Sequence, residues 1–129
     1  NAVNRLLPQL SASAKAISKN RLKELTESDS TMLFLGADQV GEILGMLSLI
    51  VMQIPTGNKA WIEDVVVDQS ARGKGIGRAL MNHALEEAKK CGVKSIDLTS
   101  RPSRKSANEL YQSLGYEIRE TNVYRCKIS

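Results

Sequence analysis

The run Val65-Val66-Val67-Asp68-Gln69-Ser70-Ala71-Arg72-Gly73-Lys74-Gly75-Ile76-Gly77-Arg78-Ala79-Leu80 constrains the fold more than any other stretch. The valines favour a strand. Leu80, Met81, Ala84, Leu85 and Ala88 then recur at helical spacing. Between strand and helix lies a basic, glycine-rich turn. The first N–H groups of a helix have no intrahelical acceptor, and the helix dipole adds positive potential at that end. A strand running through glycines straight into a helix therefore makes an anion-binding corner. Gly73, Gly75 and Gly77 permit positive φ and let an anion approach without meeting a Cβ, while Arg72, Lys74 and Arg78 add full charges. A plain connector with solvated charges would use the same residues. The valine strand before the turn and the amphipathic helix after it favour the anion site.

The spacing excludes the two commonest phosphate loops. Gly73-x-Gly75-x-Gly77 is not G-x-G-x-x-G, and no glycine is followed by Lys and then Ser or Thr. Arg72-x-x-Gly75-x-Gly77 does fit the pyrophosphate signature Q/R-x-x-G-x-G/A. With Trp61–Val67 before it, the segment closely resembles the acetyl-CoA-binding motif of the GNAT N-acetyltransferase superfamily. Ala107-Asn108-Glu109-Leu110-Tyr111-Gln112-Ser113-Leu114-Gly115-Tyr116 resembles that family's second motif, A-x-x-L-Y-x-x-x-G-F/Y. Asn122-Val123-Tyr124-Arg125 resembles its last strand. Two positions depart from the pattern. Arg104 stands where relatives often carry an Asn that contacts pantetheine, with Asn108 as the substitute, and Gln69 replaces a common Pro.

Length bounds the rest. The chain of 129 residues is expected to form one domain, residues 1–129, with a single core. The longest apolar stretch, Ile43–Met52, contains Gly45 and Ser48 and is too short to span a membrane. Cys91 and Cys126 lie in no metal-ligand spacing and read as reduced thiols of a cytoplasmic protein. Charge is uneven. Residues 1–64 carry six Lys/Arg and seven Asp/Glu, a net of −1, whereas residues 65–129 carry twelve and seven, a net of +5. That field suits a polyanion such as coenzyme A. Nucleic acid is disfavoured, because aromatics make up only 4% of the chain and no basic stretch interleaves with them.

The pattern predicts a short helix through Val3, Leu6, Leu7 and Leu10, then a second from Ala14 to Leu25 capped by Ser13. Strands follow at Thr31–Ala37, Glu42–Ile54 and Lys59–Val67. The helix after the glycine turn should stop at Gly92, and Ser95–Thr99 should be a strand parallel to Lys59–Val67. Ser106-Ala107-Asn108-Glu109 reads as a capping box opening another helix, which Gly115 ends. Tyr116–Arg119 and Val123–Ile128 read as a closing hairpin. The fold class is therefore α/β: a mixed, mostly antiparallel sheet of about six strands, one splayed parallel pair, and helices on both faces. The order matches the GNAT fold with its first strand missing, which leaves a sheet edge that a second copy could cover as a homodimer.

The resemblance implies an N-acetyltransferase moving the acetyl group of acetyl-CoA to a primary amine of a small molecule or peptide, by direct attack and without a metal. It places Val65, Val66 and Val67 beside the pantetheine arm. Arg72, Gly73, Lys74, Gly75, Ile76, Gly77 and Arg78 would hold the pyrophosphate. Glu63, mid-strand among apolar residues and sharing a face with Trp61, Val65 and Val67, is the leading general base; a rim carboxylate paired with a nearby cation fits the residues equally. Tyr111 reads from the bare sequence as a core tyrosine or as an acid, and the family motif selects the acid that protonates the departing thiolate. The alternative for the whole chain is a non-catalytic CoA-binding or regulatory module of the same fold.

Overall fold

The computed structural model describes residues Asn1–Ser129. They divide into two compact units, Asn1–Thr99 and Ser100–Ser129. The first holds helices α1 (Ala2–Leu10) and α2 (Lys19–Glu27), strands β1 (Thr31–Ala37), β2 (Ile43–Ile54) and β3 (Gly57–Val67), a 3-10 turn at Gln69–Ala71, helix α3 (Ile76–Lys90) and strand β4 (Ile96–Leu98). The second holds helix α4 (Lys105–Ser113).

The sheet has the order β1-β2-β3-β4. Tight turns join the first three strands in antiparallel pairs, and β4 returns through α3 to lie parallel to β3, as a helical crossover requires. β2 is the central long strand, and Leu44, Met46, Leu47 and Leu49 are all buried along it. Consecutive buried residues mean that both faces are covered. Met46 and Val66 pack with Val3 and Leu6 of α1. The opposite face, with Gly36, Gly45 and Phe34, receives α3: Ile76 and Leu80 lie against the glycines, and His83 sits edge-on to Phe34 at 4.7 Å. Leu80, Met81, Ala84 and Ala88 of α3 are buried as their spacing foretold, whereas Leu85 is exposed.

The second helix starts five residues later than its pattern suggested. The Asn4 side chain accepts from the Ile17 amide (2.7 Å) and donates to the Ile17 carbonyl (3.0 Å). This pair of bonds holds the segment after α1 out of helical geometry, and Ser18, not Ser13, caps α2 by accepting from Arg21 N–H at 3.1 Å. A long-range amide clamp thus overrides a local cap signal.

In the second unit α4 begins at Lys105, with Arg104 as its N-cap and no side-chain cap bond, so the Ser106 capping box does not form. Its C-terminus closes as expected. Gly115 has φ +92, its N–H donates to Gln112 O, and Tyr116 N–H donates to Tyr111 O, the bond pair of a Schellman end. The expected hairpin is absent. Residues 117–129 form no strand, and Ile118, Val123, Tyr124 and Ile128 are 73–92% exposed. The sheet therefore has four strands, not six. A two-stranded ribbon alone is marginal in water, and the apolar side chains of this one are left exposed rather than packed.

Candidate functional site

Strand β3 changes character at its middle. Ser48 pairs with Glu63, but Met46 pairs with Val66, so Leu47 faces both Asp64 and Val65. This is a β-bulge, and Asp64 takes φ +52 within it. Asp is one of the few side chains that tolerate that region. The extra residue inverts the side-chain alternation. Cross-strand partners share a face, so Glu63 lies with Trp61, Ser48, Met46 and Val66, while Val67 joins Gly45 on the other side. The expectation that Glu63 shares a face with Val65 and Val67 is thus corrected. Strict period two carries no allowance for a bulge.

The same region is where β4 ends. Its ladder pairs Ala60, Ile62 and the residue between with Ile96–Leu98 and goes no further, while β3 continues to Val67. Glu63 is exposed just past that point. Partial desolvation, with the charge of adjacent Asp64, holds its carboxyl above the usual carboxylate range.

The glycine turn follows directly. Asp68 N–H donates to Leu44 O at 2.7 Å, and its carboxylate accepts from the Ser70 amide (2.9 Å) and hydroxyl (2.8 Å). From α1, Gln9 donates to Asp68 Oδ2 (3.2 Å) and accepts from Gln69 N–H (2.9 Å). The Ser70 and Gln9 bonds, with the Arg5 charge, hold the Asp68 carboxyl below its ordinary value. Nothing in the sequence marks Gln9 as part of this corner; it sits sixty residues away from Gln69 in the chain. Gly73 and Gly75 have φ +84 and +80, and a Cβ built on either meets no atom within 4 Å. Gly75 is the N-cap of α3 and offers no side chain to its amides. The first intrahelical bond is Ala79 N–H to Gly75 O, so the N–H groups of Ile76, Gly77 and Arg78 precede it. No acidic residue lies in that first turn, and Arg72, Lys74 and Arg78 are exposed around it. An open cradle, helix-end amides and three cations fit a pyrophosphate.

In the second unit Tyr111 is buried. Burial raises its phenol above the usual range, and the Arg104 guanidinium, hydrogen-bonded to it, pulls part of the way back. Its ring lies 6.4 Å from that of Tyr116. Arg104, the departure from the family pattern, is thus the direct neighbour of the expected acid. Asn108 donates to Arg101 O (2.9 Å) and Arg104 O (2.8 Å). Both amide hydrogens are committed to the loop before α4, which leaves its carboxamide oxygen for any ligand. No group of three or more His, Cys, Asp or Glu is gathered as a metal site, and no helix is long and apolar enough to cross a membrane.

Residues 4–116 match the acetyltransferase (GNAT) family. The chain belongs to that family. An uncharacterised N-acetyltransferase of Bacillus subtilis (strain 168), YhdJ, is 31% identical over 108 residues, covering 81% of this chain and 74% of that protein. An uncharacterised N-acetyltransferase of Methanocaldococcus jannaschii is 44% identical over 61 residues, which are 47% of this chain but 27% of that protein. The ribosomal protein bS18-alanine N-acetyltransferase of Escherichia coli (strain K12) is 37% identical over 59 residues, 46% of this chain and 40% of that one. The matched regions thus span less than half the length of the last two relatives. Among solved structures, an acetyltransferase of Trypanosoma brucei superposes with a TM-score of 0.80 at 26% identity, covering 98% of this chain and 91% of the other. An aminoglycoside acetyltransferase from an uncultured soil sample gives 0.86 at 18% identity, covering 99% and 86%, and so shares the fold. The GNAT match runs across both units of the chain.

Proposed function

We propose that this GNAT chain transfers the acetyl group of acetyl-CoA to a primary amine in the cytoplasm, with no nucleic acid or membrane as partner. One observation carries the reading. The end of the β4 ladder, the bulge and the open glycine cradle follow one another within Ile62–Arg78, so an extended strand edge leads straight into an anion site. Acetyl-CoA has the matching shape, an extended amide-bearing arm ending in a pyrophosphate, and its thioester supplies the activated acyl group. Val65, Val66 and Val67 flank the arm. The backbone of Gly73–Gly77 and the cations Arg72, Lys74 and Arg78 hold the pyrophosphate. Asn108 offers only an acceptor oxygen to the arm.

Holding both reactants lowers the barrier by orientation. The attacking amine must first lose a proton. A lysine-like ammonium has a pKa near ~10, so a base helps at neutral pH. Glu63 takes that proton, directly or through water, and its raised affinity for protons suits the task. As the new C–N bond forms and the C–S bond breaks, Tyr111 gives its phenolic proton to the sulfur. A phenol pushed up by burial keeps that proton through neutral pH.

The acceptor class is a primary amine. Relatives are named for an alanine of ribosomal protein bS18 and for an aminoalkylphosphonate, so both belong in the test with aminoglycosides and polyamines. The test has two arms. Calorimetric titration should show acetyl-CoA binding and no comparable ATP binding. Thiol release from acetyl-CoA, followed with a disulfide reagent, should rise above its slow background with one of these amines. Binding without any release would make the chain a CoA-binding module instead.

A further inference from the structure

Gly36 of β1 and Gly45 of β2 are cross-strand partners on the sheet face that α3 covers. A Cβ on Gly36 would lie 2.8 Å from Ile76 Cγ2, and 3.5 and 3.6 Å from Leu80 Cγ and Cδ1. A Cβ on Gly45 would lie 2.9 Å from the same Ile76 Cγ2, 3.1 Å from Leu80 Cδ1 and 3.3 Å from Val66 O. Neither glycine has positive φ, so backbone conformation does not demand glycine at either place. Space does. Two facing strands each omit a side chain, and the notch they leave is filled by the first residue of α3.

Ile76 directly follows Gly75, the N-cap. The depth at which Ile76 seats therefore sets the height and tilt of the N–H groups of Ile76, Gly77 and Arg78 over the end of the sheet. We propose that Gly36 and Gly45 are positioning residues for the pyrophosphate site: their missing Cβ atoms let Ile76 sink into the sheet and fix the helix end at its binding height. The inference rests on reading the glycine turn as that site. Hydrogen bonds weaken steeply with distance and misalignment, so lifting the helix end by part of an ångström weakens several contacts together. Close-packed interiors pass such a displacement on rather than absorb it.

Gly36→Ala is the cleaner probe, because the three atoms nearest its Cβ all belong to side chains, whereas Gly45 also faces the Val66 carbonyl. In the full chain, titrated with acetyl-CoA, its Kd should rise about tenfold. KM for acetyl-CoA should rise in step, with kcat at saturation within about twofold of the parent. Amide resonances of Gly77 and Arg78 should shift. Ile76→Ala empties the notch and should weaken binding by itself. Adding Gly36→Ala to that variant should then cost less than about twofold, because the clashing Cγ2 is gone. A folded Gly36→Ala with parental affinity, or an equal cost of Gly36→Ala in both backgrounds, overturns the proposal. If Gly36→Ala does not fold, Ile76→Ala decides, and parental affinity there overturns it. A parent that fails to bind acetyl-CoA removes the pyrophosphate reading and this inference together, whereas a binding parent with an indifferent Gly36→Ala removes the inference alone.

Discussion

In the proposed reaction Tyr111 and Glu63 carry the two proton transfers, and each has a substitution that keeps its shape. Tyr111→Phe removes the hydroxyl and leaves the buried ring. The Arg104 bond is lost, so stability should fall by about 1 kcal/mol. Acetyl-CoA affinity should hold, because binding is assigned to backbone groups and the glycine turn. kcat should fall by roughly 100-fold with KM little changed, since a proton donated as the C–S bond breaks acts only in the transition state. Parent-like kcat in a variant with a normal thermal melt would make Tyr111 a helix anchor. For Glu63 the readout is pH. Desolvation and Asp64 raise its carboxyl, so the base is ionised, and active, only above that raised value. The parent's rate should therefore fall on the acid side through it. Glu63→Gln should be slow throughout and lose that limb; superimposable profiles would retire the role. The face that Glu63 occupies was not legible, because one unsignalled residue at Asp64 inverts the alternation.

Elements fixed by their own turn chemistry were legible. The central strands were legible from apolar stretches bounded by Gly, Pro and Asn and α3 from helical spacing, and Gly92 and Gly115 do end their helices, at φ +72 and +92. Elements that depend on distant partners were not. The start of α2 moved because Asn4 binds Ile17, and the final hairpin is absent because Ile118, Val123, Tyr124 and Ile128 find no element to pack against. At the candidate site the glycine turn was visible from its spacing, whereas Gln9, Gly36 and Gly45 were not. A glutamine on a helix and glycines in strands acquire meaning only through what they touch. The turn has its own test. Gly75 sits at φ +80 with open space above it. Asn tolerates that conformation better than other side chains, so Gly75→Asn separates backbone strain from occlusion. The melting temperature should stay within a few degrees. The acetyl-CoA Kd, read by calorimetry, should rise by about tenfold or more as the side chain enters the cradle. An unchanged Kd would move the pyrophosphate away from the N-terminus of α3.

At the scale of the molecule the question is how much of the binding is field and how much is contact. The chain carries a net charge of +4 at pH 7, and the excess lies wholly in residues 65–129, which begin beside the cradle. Arg72, Lys74 and Arg78 are exposed, so their attraction for a polyanion passes partly through solvent and is screened by salt. The screening length falls from about 10 Å at 0.1 M to about 3 Å at 1 M ionic strength. Hydrogen bonds from helix-end amides, and any pairing of the pantetheine arm with β3, are short and depend far less on salt. Two ligands separate these contributions. Acetyl-CoA carries the phosphates, and S-acetylpantetheine carries the same arm and thioester without charge. Between about 0.05 and 0.5 M salt the Kd of acetyl-CoA should rise several-fold, while that of S-acetylpantetheine, weaker throughout, should stay nearly constant. Replacing Arg72 and Lys74 together by Gln should flatten the acetyl-CoA slope and leave the S-acetylpantetheine affinity unchanged. If the parent's two ligands respond to salt alike, the basic half serves solubility alone and the cradle works by its backbone amides. If the slope survives the double substitution, the field comes from Arg78 or the other cations of residues 65–129, and Arg72 and Lys74 are incidental to it.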